Sequence, residues 1–395
     1  MISWCSAARG RGQPVQEGCP RIRPWSLSTL ASSVVIIVLV AFMSDQGVDA
    51  GQDTEKSARV LRVCPPRDPS NSCQFHRLQV AFNVARPGNI VVLAPGIYAQ
   101  GGVIKTNKIT VKGEFGAHLR GHAVQGKAAL VIKGDDIVIE GIECSRIYVK
   151  DRNGSCIRAE GHNLTVRNVY FHDNEQGVLT GPASGTFLVE KSRFERNGKG
   201  GRAHGLYVGQ SIETFIFRGN KVLSTINEGH GVKSRAHRTI IEDNLIASLD
   251  GIDSRAIDIS NGGDVIIRRN ILEKGPQSRN WQMIGLALEG EIHPTNSASI
   301  EANLFVFDLE PPWIDRIVDK ITRSQRLKGR VILSKSSGSI TLTDNIIVGA
   351  KEIGIDDAAG RNLRYGSRSE AGLPDYPMLP DTVADYDRFK HRDRQ

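Results

Sequence analysis

Three short segments near the middle of the chain share one hydrophobic pattern. They begin at His204, His230 and Arg255, and each alternates a polar or small residue with an apolar one. Alternation with a period of two is typical of a half-buried β-strand. Alignment on the apolar positions gives two inward columns, which are Leu206, Val232 and Ile257, and Val208, Ser234 and Ile259. The pattern therefore predicts three parallel strands stacked in register.

The residues between the inward columns face the opposite way, and in these three segments they are Tyr207, Lys233 and Asp258. Stacked strands lie about 4.8 Å apart, so we expect a phenol, an ammonium and a carboxylate to be neighbours on one outer face. The next segment along the chain, aligned on its own alternation, adds Ala287 to this column. The same alignment places Glu289 in the second outward column, with Arg235.

A longer unit repeats along most of the chain. It consists of a short apolar strand, two polar residues, usually an asparagine, and then further apolar residues. The asparagine position is occupied by Asn168, Asn220, Asn244, Asn270, Asn303 and Asn345, with Ile142 and Ser192 in the same place in two further units. A period of about 25 residues with strand character is typical of a β-solenoid. We expect each asparagine amide to bond the asparagine of the next coil.

The ends of the repeat array differ from its middle. Residues Phe75–Ala85 carry apolar residues on one helical face and end before Pro87, so they predict a short amphipathic helix. Repeat arrays need covered edges, and we expect this helix to cap the stack. The predicted organisation is a signal segment at 1–50, a lead-in and capping helix at 51–87, a β-solenoid at 88–360, and an irregular tail at 361–395.

Composition supports a β architecture and an anionic partner. Glycine is frequent, with 41 residues, and aromatic residues are only 6% of the chain. The net charge of +8 indicates an acidic polymer or nucleic acid as partner. The sequence contains neither a zinc-finger spacing nor the aromatic run of an RNA-binding module, so we expect an acidic polysaccharide and no nucleic acid.

The first fifty residues have the pattern of a targeting segment. Arg21 and Arg23 precede the apolar run Leu30–Met43, and Ala50 ends a small-residue cleavage site. The apolar run is short for a membrane span. We expect a periplasmic or secreted monomer; the alternative is an uncleaved anchor, which would be its membrane attachment.

Four cysteines follow the targeting segment, and export would permit disulfides. Cys64 and Cys73 would close a proline-rich loop, while Cys144 and Cys156 would join two neighbouring turns of chain.

Together these features resemble a known family. The opening Leu93–Tyr98, the asparagine-punctuated coils and the segment His230–Arg235 are similar to the right-handed parallel β-helix proteins of the pectate-lyase-like superfamily. The resemblance covers residues 88–350. It implies an all-β fold, a single-stranded right-handed parallel β-helix. Among its members, the chain is similar to the exported bacterial proteins grouped with polysaccharide lyases, epimerases and NosD-type repeats.

The outward residues match the chemistry of uronate sugars. β-Elimination must stabilise charge on the substrate carboxylate, remove the proton at C5 and release the O4 leaving group. Epimerisation at C5 needs the same groups and a second proton donor. The candidate catalytic residues are Lys233, Tyr207, Arg235, Asp258, His204 and His230, and the candidate substrate-binding residues are Arg255 and Glu289.

The resemblance to lysine- and arginine-dependent lyases extends to Lys233 and Arg235. The arginine that such lyases carry on a later coil is replaced here by the segment around Asp258. A non-catalytic carbohydrate-binding or assembly scaffold therefore remains an alternative. A polygalacturonase-type hydrolase is a weaker one, because Gly229–Gly231 matches its motif but the preceding coil lacks paired carboxylates.

Calcium is the one cofactor that the sequence leaves open. Its candidate oxygen ligands are Asp250, Asp253, Asp258 and Glu289. The neighbouring Lys233 argues against a calcium site.

Overall fold

The computed structural model describes residues 58–66, 72–309, 329–356 and 361–386. Successive strands of these residues enter three sheets in turn, and strands in one sheet pair in parallel from coil to coil. The predicted signal segment, residues 1–50, lies outside the described residues. The described chain is therefore a parallel β-helix, as the repeat predicted.

The three sheets run side by side along the coils, and we name them A, B and C. Sheet A contains β1 (Val60–Val63), β2 (Ile90–Leu93), β5 (Thr110–Gly113), β8 (Ile137–Glu140), β11 (His162–Arg167), β14 (Ser184–Glu190), β17 (Ile212–Arg218), β20 (Arg238–Glu242), β23 (Asp264–Arg268), β26 (Ser297–Glu301) and β29 (Ser339–Thr343). Sheet B contains β3 (Gly96–Tyr98), β6 (Ala117–Arg120), β9 (Glu143–Ser145), β12 (Tyr170–His172), β15 (Arg193–Glu195), β18 (Lys221–Leu223), β21 (Leu245–Ala247), β24 (Ile271–Lys274), β27 (Leu304–Phe307), β30 (Ile346–Val348) and β31 (Leu363–Tyr365). Sheet C contains β4 (Gly102–Ile104), β7 (Ala128–Ile132), β10 (Ser155–Ala159), β13 (Gln176–Thr180), β16 (Leu206–Val208), β19 (Val232–Ser234), β22 (Ile257–Ile259), β25 (Gln282–Leu286) and β28 (Arg330–Ser334).

The core is a continuous stack of apolar side chains inside the coils. Alternate residues of each strand point inward, and the same position recurs one coil later, so equivalent side chains lie in columns. Phe187 and Phe215 are one such pair, with ring centroids 5.5 Å apart. Burying each large apolar side chain contributes about 2 kcal/mol, so a core of this length stabilises the coils strongly.

The predicted asparagine ladder is present. It runs through Asn220, Asn244, Asn270, Asn303 and Asn345, all of which are buried. In each step, the backbone N–H and the side-chain Nδ2 of one asparagine both donate to Oδ1 of the next. The backbone N–H of Asn244 lies 3.0 Å from Asn270 Oδ1, and its Nδ2 lies 2.9 Å from the same atom. The second Nδ2 proton reaches a carbonyl of the preceding coil, as from Asn244 to Phe217 at 2.9 Å. The amides therefore satisfy buried backbone groups at a bend.

The ladder differs from the prediction at both ends. Asn168 is exposed and left-handed, with φ of 54°, and it lies one residue before the ladder position. Val169 occupies that position, and its N–H donates to Ser192 Oγ at 3.2 Å. At the other end Asn362 extends the ladder, accepting from Asn345 N–H at 2.9 Å. Asparagine suits both the left-handed bend and the ladder, so the pattern alone misplaced Asn168 by one residue.

The N-terminal end contains a strand that the sequence did not predict. Strand β1 lies within the expected irregular lead-in and pairs with β2. A helix, α1 (Leu78–Val84), lies within the predicted Phe75–Ala85. The Gln79 side chain accepts from Val103 N–H at 2.8 Å and donates to Val103 O at 3.1 Å, so it satisfies backbone groups of β4, the first strand of sheet C. No helix in the described part of the chain is long and apolar enough to cross a membrane.

The C-terminal segment is less irregular than the sequence predicted. Strand β31 pairs with β30 and lengthens sheet B beyond residue 360. Arg368 donates to both oxygens of Asp308, at 2.7 and 2.6 Å, and Tyr386 is fully buried. Residues 361–386 therefore pack on the last coils, because sheet B would otherwise leave an apolar outer surface uncovered.

Both expected disulfides are present. Cys64 is bonded to Cys73, and Cys144 is bonded to Cys156. Cys144 lies on β9 in sheet B and Cys156 lies on β10 in sheet C, so this disulfide links the two sheets.

Candidate functional site

The register of sheet C places three polar side chains side by side on its outer face. Tyr207 pairs with Lys233, and Lys233 pairs with Asp258. The residues flanking them in each strand point into the core and are fully buried. The short strands β16, β19 and β22 therefore project the phenol, the ammonium and the carboxylate outward together.

The predicted position of Glu289 within this sheet is wrong by two residues. Asp258 pairs with Gly285 and not with Ala287. The alternation of Ile284, Leu286 and Leu288 fits both registers equally well, so sequence could not choose between them. At Gly285 a Cβ atom would lie 2.7 Å from Asp258 Oδ1, so a side chain there would have to displace that buried carboxylate.

Glu289 nevertheless reaches the centre of the site from a loop. The chain leaves sheet C at Ala287, which is left-handed with φ of 55°, and returns over the outer face. Lys233 Nζ donates to Glu289 Oε1 at 2.6 Å, and Arg235 Nη2 donates to Oε2. Partial burial would raise the pKa of Glu289, but these two cations outweigh it and lower the pKa to about 2. Lys233 and Arg235 thus hold one carboxylate at two points.

Asp258 is buried beneath this pair and is held by its own donors. Ser260 Oγ donates to Asp258 Oδ2 at 2.6 Å, and Arg255 Nη1 lies 3.3 Å from Oδ1. Lys233 Nζ is 3.6 Å from Oδ2. Because only 2% of Asp258 is exposed, its main effect is to position Lys233 and Arg255 and to balance their charge.

Arg235 connects the carboxylate pair to Tyr207. Its Nε donates to Tyr207 Oη at 2.7 Å, and its Nη1 donates to Asn261 Oδ1. Burial would lower the pKa of Arg235, but the bonds to Glu289 and Tyr207 outweigh it and raise that pKa. Since Tyr207 Oη accepts this bond, its own proton is available to another acceptor.

His204 and His230 stack on each other beside Tyr207, with ring centroids 4.9 Å apart. His204 Nδ1 accepts from His230 N–H at 3.1 Å, and His230 Nδ1 accepts from Arg255 N–H at 3.2 Å. Burial is the main cause that lowers both pKa values well below the usual value, and nearby Lys233 adds to it. Both rings are therefore neutral with the proton on Nε2, which makes them hydrogen-bond donors and not bases.

A cleft of about 350 Å³ lies beside these residues and extends toward the N-terminal coils. Arg152, Arg202, Lys233 and Arg235 line it, against the single carboxylate of Asp151. The two additional arginines lie on exposed loops between strands. The sequence analysis missed them because these loops do not repeat. The resulting cleft favours an anionic ligand.

The outward column also continues further than the sequence analysis proposed. Arg158 on β10 pairs with Leu179 on β13, and Leu179 pairs with Tyr207 on β16. Arg158 therefore lies two coils before Tyr207 in the same column. Its guanidinium covers Gly181, where a Cβ atom would lie 2.9 Å from Nε. The alternation of Ser155–Ala159 was a signal that could have located Arg158.

The four candidate calcium ligands do not form a site. The structure describes all four, and no three of them bring ligand atoms within 4.8 Å of one another. Asp253 is fully buried and pairs with Lys274 Nζ at 3.0 Å, while Asp250 accepts from Ser224 Oγ at 2.8 Å. Asp258 and Glu289 are neutralised by Lys233 and its neighbours, so these residues do not fit calcium.

Comparisons with known proteins agree with this architecture. The family model described as "right handed beta helix region" matches residues 94–272. An alginate lyase from Paenibacillus sp. strain FPU-7 has a similar structure, with a TM-score of 0.52 and 16% identity over 78% of this chain and 97% of that one. The pectate lyase Pel9A has a TM-score of 0.46 and 14% identity, covering 77% and 82% of the two chains. A family 28 exopolygalacturonase from Yersinia enterocolitica has a TM-score of 0.38 and 9% identity, covering 82% and 77%.

These findings define the class of protein. The chain has the right-handed parallel β-helix fold. Among curated proteins, none matches the chain. The level of identity to the solved structures establishes the fold alone, so activity has to be argued from the site.

Proposed function

We propose that the outer face of sheet C binds an acidic, uronate-containing polysaccharide and acts on it as a lyase or C5-epimerase. The observation that carries this proposal is the position of Glu289. Its carboxylate is held at two points by Lys233 and Arg235, two of the cations that line the cleft. Each uronate unit carries a carboxylate of the same chemistry, so the same two cations suit the substrate.

Elimination and C5 epimerisation begin with the same step. A base removes the proton at C5, and negative charge develops on the adjacent carboxylate. Preorganised cations stabilise such charge more effectively than water does. Lys233 and Arg235 supply that stabilisation, and Asp258 beneath Lys233 keeps the ammonium in place.

Tyr207 is the best-placed group for proton transfer. Arg235 donates to Tyr207 Oη and holds it in position, so Tyr207 can take the C5 proton once its own proton has passed to another acceptor. Lys233 Nζ lies between the carboxylates of Asp258 and Glu289, at 3.6 and 2.6 Å, so it suits charge stabilisation better than proton removal. His204 lines the same cleft and donates through Nε2, which suits a hydrogen bond to the O4 leaving group.

The hydrolase alternative is disfavoured by the state of the carboxylates. A glycoside hydrolase needs one protonated carboxyl as general acid. Glu289 has a pKa of about 2 and is ionised at neutral pH. Asp258 is buried with Ser260, Arg255 and Lys233 around it, which leaves it no route to a glycosidic oxygen.

A binding scaffold without turnover would use the same cationic cleft, so one experiment must separate the alternatives. Purified protein is incubated in deuterated buffer with a panel of uronate polymers. Elimination gives the ultraviolet absorbance of an unsaturated product, and epimerisation gives deuterium at C5 without absorbance. Binding with neither signal selects the scaffold, and new reducing ends without absorbance select the hydrolase.

Substitution of Lys233 tests the position of the site. We expect Lys233→Ala to abolish turnover at a temperature where the variant is folded, and also to lower the melting temperature, because Lys233 is only 8% exposed and its loss leaves the buried Asp258 with one cation fewer. Lys112→Ala is the matched control, since Lys112 is an exposed lysine on sheet A. Full activity in Lys233→Ala would show that the outer face of sheet C is not the active site.

We also propose export to the periplasm or cell exterior. Two disulfides support this, because they persist in oxidising compartments. N-terminal sequencing of the mature protein should begin near Gly51. A full-length product retained in the membrane fraction would favour the uncleaved anchor, and a full-length cytoplasmic product would contradict export.

A further inference from the structure

A second polar cluster lies on sheet B, on strands that do not contribute to the site on sheet C. It consists of His118 on β6, Glu143 on β9 and His172 on β12, so three consecutive coils contribute one residue each. His118 Nδ1 lies 3.3 Å from Glu143 Oε1, and His172 Nε2 lies 3.1 Å from the same oxygen. All three ligand atoms lie within 4.8 Å of one another.

The outer nitrogen of each ring has its own partner. His172 Nδ1 lies 2.6 Å from Asp173 Oδ2, and a carboxylate can only accept, so this nitrogen carries a proton. His118 Nε2 lies 2.8 Å from Ser145 Oγ, which can accept in the same way. A neutral ring with its proton on the outer nitrogen directs a lone pair from the inner nitrogen at Glu143. A cation between these atoms would accept both lone pairs and balance the charge of the carboxylate.

We propose that His118 Nδ1, Glu143 and His172 Nε2 bind a divalent transition-metal ion of the zinc class. Tetrahedral zinc, with ligands at about 2.0–2.1 Å, places neighbouring ligand atoms about 3.4 Å apart. The two distances to Glu143, 3.3 and 3.1 Å, are close to that value. Two histidines and one glutamate leave a fourth position for water or an oxygen ligand.

The surroundings of His172 are those of a metal ligand whose orientation is fixed. Arg196 donates to both oxygens of Asp173, at 2.8 and 2.9 Å, and so fixes the orientation of that carboxylate. Tyr170 stacks on the His172 ring with centroids 4.2 Å apart, and its hydroxyl donates to Glu195 at 2.9 Å. A carboxylate behind a ligating histidine holds the tautomer and raises ligand basicity.

The cluster is also accessible. The side chains of both histidines are 14% exposed and that of Glu143 is 34% exposed, so the fourth position opens to solvent.

The first test uses tag-free, full-length mature protein stripped with a chelator and titrated calorimetrically with zinc chloride. We expect a single zinc ion per chain, measured independently by elemental analysis, and a raised melting temperature. His172→Ala should lose this ion, while His162→Ala should keep it. His162 is a matched control because it is an exposed histidine bonded to a serine, at 3.0 Å, on sheet A. Wild-type protein without stoichiometric zinc, or equal binding by His172→Ala, would overturn the proposal.

A second variant tests the site without removing a ligand. Asp173→Asn should weaken zinc binding by about 10- to 100-fold. Cobalt added to the wild type should give the intense visible bands of tetrahedral coordination. The competing arrangement is a protonated His172 between Glu143 and Asp173, which predicts no stoichiometric ion in the wild type. Unchanged zinc affinity in Asp173→Asn would show that Asp173 does not orient His172 as a metal ligand.

Discussion

Glu289 lies directly against Lys233, with Oε1 2.6 Å from Nζ, although 56 residues separate them along the chain. The contact exists because the loop after β25 returns over the outer face of sheet C. It gives the proposed polysaccharide site a carboxylate of its own. A uronate substrate would have to displace Glu289 from Lys233 and Arg235 or share them with it.

Replacing Glu289 therefore tests whether it competes with substrate. Glu289→Gln should raise the affinity for a uronate oligosaccharide several-fold, measured by calorimetry at low salt. The gain should stay below about tenfold, because a partly exposed ion pair contributes under about 1 kcal/mol. Glu291→Gln, on the same loop but bonded to Ser336 and Ser337, is the control. A loss of affinity would instead make Glu289 a direct substrate-binding residue.

Tyr207 should be separable from Lys233 by its effect on turnover. Tyr207→Phe should lower kcat by about 10²- to 10⁴-fold with little change in substrate affinity, since it removes a proton-transfer group and keeps the ring. Tyr148→Phe is a control on an exposed tyrosine. Retained activity in Tyr207→Phe, together with loss in Lys233→Ala, would assign proton removal to Lys233.

The asparagine ladder should be a major source of stability. Asn244→Ala leaves Asn220 N–H and Phe217 O without their buried partners. We expect a loss of about 3 kcal/mol in the free energy of unfolding, measured with urea. Asn168→Gly is the matched control, because Asn168 is an exposed, left-handed residue one position before the ladder. Equal effects of the two changes would contradict the assigned ladder position.

Glu273 should make stability depend on pH. Burial, with smaller contributions from Asp308 and Asp253, raises its pKa from 4.5 to about 8. The folded state then binds more protons than the unfolded state between these values, so stability falls as pH rises through this window. Glu273→Gln should be more stable than the wild type at pH 9 and similar at pH 5. Glu301→Gln, at a half-exposed glutamate on sheet A, is the control. A pH profile of Glu273→Gln parallel to that of the wild type would refute the assignment.

The sequence by itself determined the coils, because their structure is local and periodic. Alternation fixes which residues of β16, β19 and β22 face inward, and a recurring asparagine behind an apolar strand fixes the bend. The adjacency of Tyr207, Lys233 and Asp258 follows from that register alone. The pairs Cys64–Cys73 and Cys144–Cys156 were predictable because short sequence separation leaves few alternatives.

Tertiary structure determined which side chains of the loops and of the sheet surfaces come together. Two registers of β25 bury the same number of apolar residues, and the space beside Asp258 selects the one with Gly285. Arg152 and Arg202 come from loops that obey no period, so only the folded chain shows that they line the cleft. His118, Glu143 and His172 lie 25 and 29 residues apart, close to one coil each, but no local motif marks them as a site. Their proximity depends on the stacking of sheet B, which brings together residues that local sequence patterns do not relate.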